Sequence, residues 1–145
     1  MIRDGMDSAH GIPMVLRAAY LSMHRQTNAH LARFGVTADQ FVCLVILADR
    51  DGITQQELVR LATSDPNTIC AMLVLLEKRG LVAREPHPTD GRARLVTMTN
   101  KGRMEFDKMV KGVRPVQERL SAPFPDEEAK KLIRSLEAVQ RAMTP

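Results

Sequence analysis

The sequence predicts a mainly α fold with a small β component (α+β), and three observations carry that prediction. Apolar residues recur at steps of three and four over most of the 145 residues, the period of a helix with one buried face. Capping residues stand ahead of four of these stretches. One Pro/Gly-rich loop, residues 86–93, separates two short β-prone stretches, as the tip of a long hairpin does.

Residues 1–11 read as an irregular start. From Pro13, a residue suited to the first helical position, Leu16, Tyr20, Met23, Thr27, Leu31 and Phe34 form one helical stripe. Gly35 follows where a left-handed terminator belongs. Thr37 and Gln40 make a capping box, each side chain accepting a hydrogen bond from the other residue's backbone amide. That cap makes the apolar run at 41–48 a short buried helix rather than a strand. Asp51 and Gly52 break the chain, and Thr54 and Glu57 form a second capping box before a short helix with Leu58, Leu61 and Ala62 inward. After a turn at 63–64, Asp65 caps a fourth helix with Pro66 at its first position, buried through Ile69, Met72, Leu73 and Leu76 and ended by Gly80.

Residues 81–85 and 94–98 are the two hairpin strands. Thr99 then caps a fifth helix, striped by Phe106, Met109, Val110, Val113 and Leu120, in which Gly112 and Pro115 predict a kink or break. Pro123 and Pro125 punctuate the chain. The last helix carries Asp126, Glu127 and Glu128 at its positive end, Arg141 at its negative end, and the stripe Leu132, Leu136, Val139 and Met143. Helix, turn, helix and hairpin over residues 37–98 make a winged helix-turn-helix. The flanking helices, within 12–35 and 99–145, are too long and too apolar on one face to stand alone. They are expected to pair with the same helices of a second subunit as N- and C-terminal dimerisation helices, all in one domain.

Composition narrows the function. With 44% apolar and 26% charged residues the chain has material for a packed core. The net charge is only +4, but residues 77–103 hold seven basic residues against three acidic ones, and the rest of the chain balances. The excess positive charge therefore lies in one segment, as a phosphate-binding surface requires. The longest strongly apolar run, 41–48, is far short of the roughly 20 residues that span a bilayer, and no export signal is read at the start. Two cysteines do not make a disulfide framework and fit a reducing, cytoplasmic setting. Aromatic residues are 3% with no Trp, which argues against a base-stacking surface for single strands.

No catalytic or metal constellation is read. His10, His24, His30 and His87 stand in no metalloprotease or nucleophile motif, and six residues put His24 and His30 on different sides of a helix, so neither an enzyme, a metal nor a cofactor is expected. Cys43, inside an apolar run, should be an inert filler. Cys70, near the positive end of the fourth helix, is the one cysteine with a redox reading.

The stretch Leu76-Glu77-Lys78-Arg79-Gly80-Leu81-Val82, followed by Asp90-Gly91-Arg92 and then Val96-Thr97-Met98-Thr99-Asn100-Lys101-Gly102, resembles the multiple antibiotic resistance regulator (MarR) family of bacterial transcription factors. The resemblance covers nearly the whole chain, since the helix order at both ends also fits. It implies a homodimer that binds a pseudo-palindromic double-stranded DNA operator, as a repressor released by a small ligand or oxidant.

On that reading the fourth helix enters the major groove and presents Asn67 and Thr68 from its first turns, with Ala71 and Val74 placed to touch thymine methyls. Simple capping is the other reading of Asn67 and Thr68. Family members commonly place a hydroxyl and a basic residue at the positions of Cys70 and Ala71, so this outward face is unusually apolar. Arg92 lies at the wing tip, placed for a minor groove, and Asp90 is expected to hold a nearby guanidinium, that of Arg94. Lys78, Arg79, Arg84, Lys101 and Arg103 are candidates for phosphate, about half of them as solvated charges only. The family's ligand pocket would lie where the first, second and fifth helices meet. Tyr20 and His24, one turn apart, offer a hydroxyl and an imidazole to a small aromatic or amphipathic anion. A dimeric winged-helix interaction module without DNA binding is the competing function, kept open by the apolar outer face of the fourth helix.

Overall fold

The structure, a computed structural model, describes residues 7–145. The described residues form two compact units, divided after Val113.

The first unit opens with α1 (Ser8–Leu31), whose amides begin on the carboxylate of Asp7, an acceptor for the Ala9 N–H at 2.5 Å. This corrects two expectations. Of the irregular start at 1–11, residues 1–6 lie outside the described residues, and from Ser8 the chain is already helical. Pro13 is not the first helical residue but stands inside α1. The Asp7 carboxylate caps the helix before Pro13 is reached, so the start falls at Ser8. A single 3-10 turn, Ala32–Phe34, follows and ends at Gly35 in the left-handed region expected of it, at φ 67°.

The Thr37–Gln40 capping box is formed in both directions, each bond 3.1 Å, and opens α2 (Ala38–Asp49). Residues 41–48 are thus helical. The second box is only half formed. Thr54 accepts from the Glu57 amide at 3.0 Å to start α3 (Gln55–Leu61), but the Glu57 carboxylate turns to Arg60, a cation one helical turn away at 2.8 Å. Ahead of it, residues 53 and 54 form a strand the sequence did not signal, β1 (Ile53–Thr54). Asp65 caps α4 (Pro66–Lys78) as expected. The hairpin strands β2 (Val82–Pro86) and β3 (Arg94–Met98) pair antiparallel from Val82 opposite Met98 to Pro86 opposite Arg94. β1 adds to the other edge of β3, Ile53 opposite Val96, giving the order β1-β3-β2.

Thr99 closes the hairpin by accepting from the Gly102 amide and donating to the Gly80 carbonyl, and so starts α5 (Asn100–Ser121). Of the kink or break expected at Gly112 and Pro115, the break does not occur: α5 runs through both as one helix. Gly112 is there for space: a Cβ on it would stand 2.8 Å from the Phe34 ring. Leu44 and Leu47 of α2, Leu58 of α3, Leu73 and Leu76 of α4, Val96 of β3 and Met109 of α5 share one core and are fully buried. On α1, by contrast, Ile12, Val15, Leu16 and Tyr20 are exposed.

The second unit is the end of α5 and α6 (Asp126–Met143). Asp126, Glu127 and Glu128 occupy the first turn of α6 and Arg141 the last, as the helix dipole favours. Leu132, Leu136 and Met143 of its stripe are exposed, and so is Ile133 beside them.

Candidate nucleic-acid interface

The fourth helix and the hairpin tip carry the residues singled out for DNA, and both lie in the first unit. α4 starts on a tight cap: Asp65 accepts from the Thr68 amide at 2.9 Å and from the Thr68 hydroxyl at 2.7 Å. The Thr68 hydroxyl bond, then its amide, hold the Asp65 carboxyl below its ordinary range. Thr68 is thus part of the cap, whereas Asn67 is exposed beside it. The inner face is Ile69, Leu73 and Leu76, all buried, with Met72 half-buried. Outward stand Cys70, Ala71 and Leu75, exposed, and Val74, half-buried.

Four of the seven basic residues of segment 77–103 are tied to partners on other elements, and a fifth, Arg92, only to Asp90 of its own wing tip, a division the charge count did not show. Arg84 of β2 reaches back across α4, with Nε 3.4 Å from Oε2 and Nη2 3.2 Å from Oε1 of Glu77, and Nη1 3.9 Å from the Cys70 sulfur. The Arg84 bond lowers the Glu77 carboxyl and raises the guanidinium in turn. Arg79 donates to the Phe34 carbonyl at 2.6 Å and to the Gly35 carbonyl. A side chain on Gly35 would occupy the guanidinium's place. Lys101 in turn donates to the Arg79 carbonyl at 2.9 Å, and Arg103 pairs with Asp51 at 3.0 Å. Lys78 and Arg94 are exposed, and neither forms an ion pair among the described residues. Removing the Arg79 side chain is therefore expected to cost about 1 kcal/mol of folding stability. The salt dependence of duplex binding should not change; a slope shallower by about one per subunit would make Arg79 a phosphate contact instead.

Arg92 stands at the wing tip with its side chain 97% exposed. Asp90 does organise the wing, but its partner is Arg92 and not Arg94. Its Oδ1 accepts from the Arg92 amide at 3.0 Å and stands 3.7 Å from Nε of the same residue. The reason is local: an Asp side chain turns back most readily to the amide two residues on. Between the wing and α3 lies a cleft of about 560 Å³, lined by Thr54, Gln55, Gln56, Val59 and Pro66 on one side and by Asp90, Arg92, Ala93 and Arg94 on the other. Gln55 and Gln56 were not among the expected site residues. They read as the inside of a capping box, and a two-residue strand gives no periodic signal for what draws them to the wing.

Tyr20 and His24 share a face of α1, their rings 5.4 Å apart at 33°. The His24 ring is engaged at both nitrogens. The Ala38 amide donates to Oδ1 of Asn28 at 2.7 Å, which turns the Asn28 Nδ2 toward His24 Nδ1 at 3.2 Å. His24 Nδ1 is thereby an acceptor, and the Nε2–H donates to Asp39 at 3.3 Å. Burial pushes the Cys43 thiol up to about 11, and the nearby Asp39 charge adds to it, as suits an inert filler; Cys70 is exposed.

Comparison with known proteins places this arrangement. The residue pattern described as the MarR family matches residues 36–93. The HTH-type transcriptional repressor Mb2911 of Mycobacterium bovis is 31% identical over 112 residues, covering 77% of this chain and 81% of that protein. A MarR mutant from Escherichia coli, solved in complex with operator DNA, is 25% identical and superposes with a TM-score of 0.83 over 94% of this chain and 99% of that one. CouR from Rhodococcus jostii RHA1, solved with bound p-coumaroyl-CoA, is 25% identical with a TM-score of 0.81, over 88% of this chain and 90% of that one.

Proposed function

This chain belongs to the MarR family, and from that premise we propose that it is a ligand-responsive repressor that binds a pseudo-palindromic operator in double-stranded DNA as a homodimer. The observation that carries this reading is the pairing pattern of the basic segment. Partners on other elements take Arg79, Arg84, Lys101 and Arg103, and leave Lys78 at the end of α4 and Arg92 and Arg94 of the wing facing outward. Asn67, Ala71 and Val74 would then meet base edges in the major groove, Thr68 being held in its cap, while Arg92 enters the minor groove. The binding lobe is residues 37–98. The exposed apolar residues of α1 and of α6 are the surfaces for a second copy, in segments 12–35 and 99–145.

The repressor acts by occupying DNA and not by catalysis. Among the described residues no single helix is long and apolar enough to cross a membrane, in keeping with a cytoplasmic site of action. CouR with its bound aromatic thioester supports an aromatic or amphipathic anion as effector. Tyr20 and His24 are the polar groups of this chain proposed to face it. An effector that fits one spacing of the dimer better than another would shift the population away from the spacing that matches the operator.

Selection of bound duplexes from a random pool tests the function. The selected site should be a pseudo-palindrome with half-sites roughly one helical turn apart, and affinity should fall steeply between about 50 and 200 mM salt. An asymmetric site bound by a monomer would sink the dimeric reading. Failure to bind any duplex at either salt would leave a winged-helix interaction module.

A further inference from the structure

The wing tip is folded by an imidazole. Residues 87–93 lie beyond the last strand pair, Pro86 opposite Arg94, so no ladder serves their backbone groups. The His87 amide donates to the Ala93 carbonyl and the Ala93 amide to the Asp90 carbonyl, each at 3.1 Å. Asp90 takes the Arg92 amide, as above. The Thr89 and Asp90 amides converge instead on Nδ1 of His87, at 3.2 and 3.1 Å, and the Thr89 hydroxyl lies 3.3 Å from the same atom. A backbone N–H can only donate. Nδ1 therefore carries no proton, the tautomer is set by the geometry, and the ring proton sits on Nε2. The imidazole does here what an Asn or Asp side chain does in most turns, accepting from the amides two and three residues on.

We propose that His87 is a positioning residue for DNA binding: its unprotonated Nδ1 folds residues 87–90 into the base on which Asp90 holds Arg92, and protonation of the ring releases the tip and weakens operator binding. An imidazolium has two donors and no lone pair, so protonated Nδ1 would face two N–H groups. The hairpin's own charged groups near the tip are Glu85, Asp90, Arg92 and Arg94, and Asp90 is already turned to Arg92. The cleft beside the tip is lined from the elements across it by Thr54, Gln55, Gln56, Val59 and Pro66, none of them charged. Among the described residues His87 forms no ion pair that would compensate for the lost cap. The effect has the opposite sign to that of a histidine that binds phosphate, because a DNA contact would strengthen as the ring gains charge.

This inference rests on the DNA-binding reading for its functional half, so the experiment has one arm without DNA. In the free protein, protection factors of the Thr89 and Asp90 amides are measured at about pH 7.5 and about pH 5.5, each against the intrinsic exchange rate at that pH. Binding of the selected operator duplex is titrated at the same two pH values for the wild type, His87→Asn and His87→Ala. Asn offers a carbonyl acceptor that does not titrate. Wild-type affinity is expected to fall roughly three- to tenfold toward the lower pH relative to His87→Asn, with protection lost in step. His87→Asn should match the wild type at the higher pH, and His87→Ala should be weak at both. Wild-type binding that tightens toward pH 5.5, or a His87→Asn profile parallel to the wild type, overturns the proposal. A wild type that binds no duplex overturns the regulator reading instead, and the two amides still decide whether the cap exists.

Discussion

Arg92→Ala is expected to weaken operator binding by about 1–3 kcal/mol, five- to 150-fold or so, while the thermal unfolding curve stays where it was. The two halves of this expectation come from different contacts. Nothing in the core touches the Arg92 side chain, which is 97% exposed and whose own nearest polar partner is a carboxylate oxygen 3.7 Å away. What the fold does take from this residue is its backbone amide, bonded to Asp90, and alanine keeps that amide. A guanidinium entering a narrow minor groove meets a strongly negative potential there, and that favours a large effect on affinity. Titration of the selected duplex with parent and variant, beside a melt of each, decides it. Equal affinity at equal stability would put the wing off the DNA.

The larger loss of stability is expected on the other side of the same lobe. Leu73→Ala should lower the free energy of unfolding by about 2–5 kcal/mol, out of the 5–15 or so typical of a domain. Leu73 is fully buried on the inner face of α4, in the core that also holds Leu44, Leu58 and Val96. Deleting three of its side-chain carbons leaves a hole that helices fixed by caps and a three-stranded sheet close only in part. Denaturant unfolding followed by circular dichroism measures the difference. A shift under about 1 kcal/mol would mean that α4 is not seated as described.

The parts of this fold that were legible in the sequence are those decided within a few residues. Thr37, Asp65 and Thr99 are caps whose partners, Gln40, Thr68 and Gly102, lie three positions away, and each forms. Gly35 takes its left-handed turn for an equally local reason. The misses have two sources. Some are local competitions in which a second partner won, as where Glu57 pairs with Arg60 rather than closing its box, or where Asp90 turns to Arg92 before Arg94. Others are set by distance along the chain. The carbonyls that Arg79 binds are 44 and 45 residues away, and nothing in the run Lys78-Arg79-Gly80 distinguishes the cation that stays outside from the one that turns inward. The charge of the segment was legible; its division between structure and surface was not. The unbroken α5 belongs with these, since the space that Gly112 leaves is filled by Phe34, far back in the sequence.

The two residues of β1 have a consequence for which operators the protein tolerates. By pairing with Leu95 and Val96 they fasten the start of α3 to the inner strand of the wing, and α3 and α4 share a core with that strand. α4, proposed to read the major groove, and the wing, proposed to read the minor groove, are therefore held as one stamp, with a fixed pitch between its two faces. Inserting a base pair inside a half-site would separate features that the stamp must meet together. Inserting one between half-sites asks only that two stamps change their mutual distance, so natural variation among target sites should collect at the centre of the palindrome and be scarce within its arms.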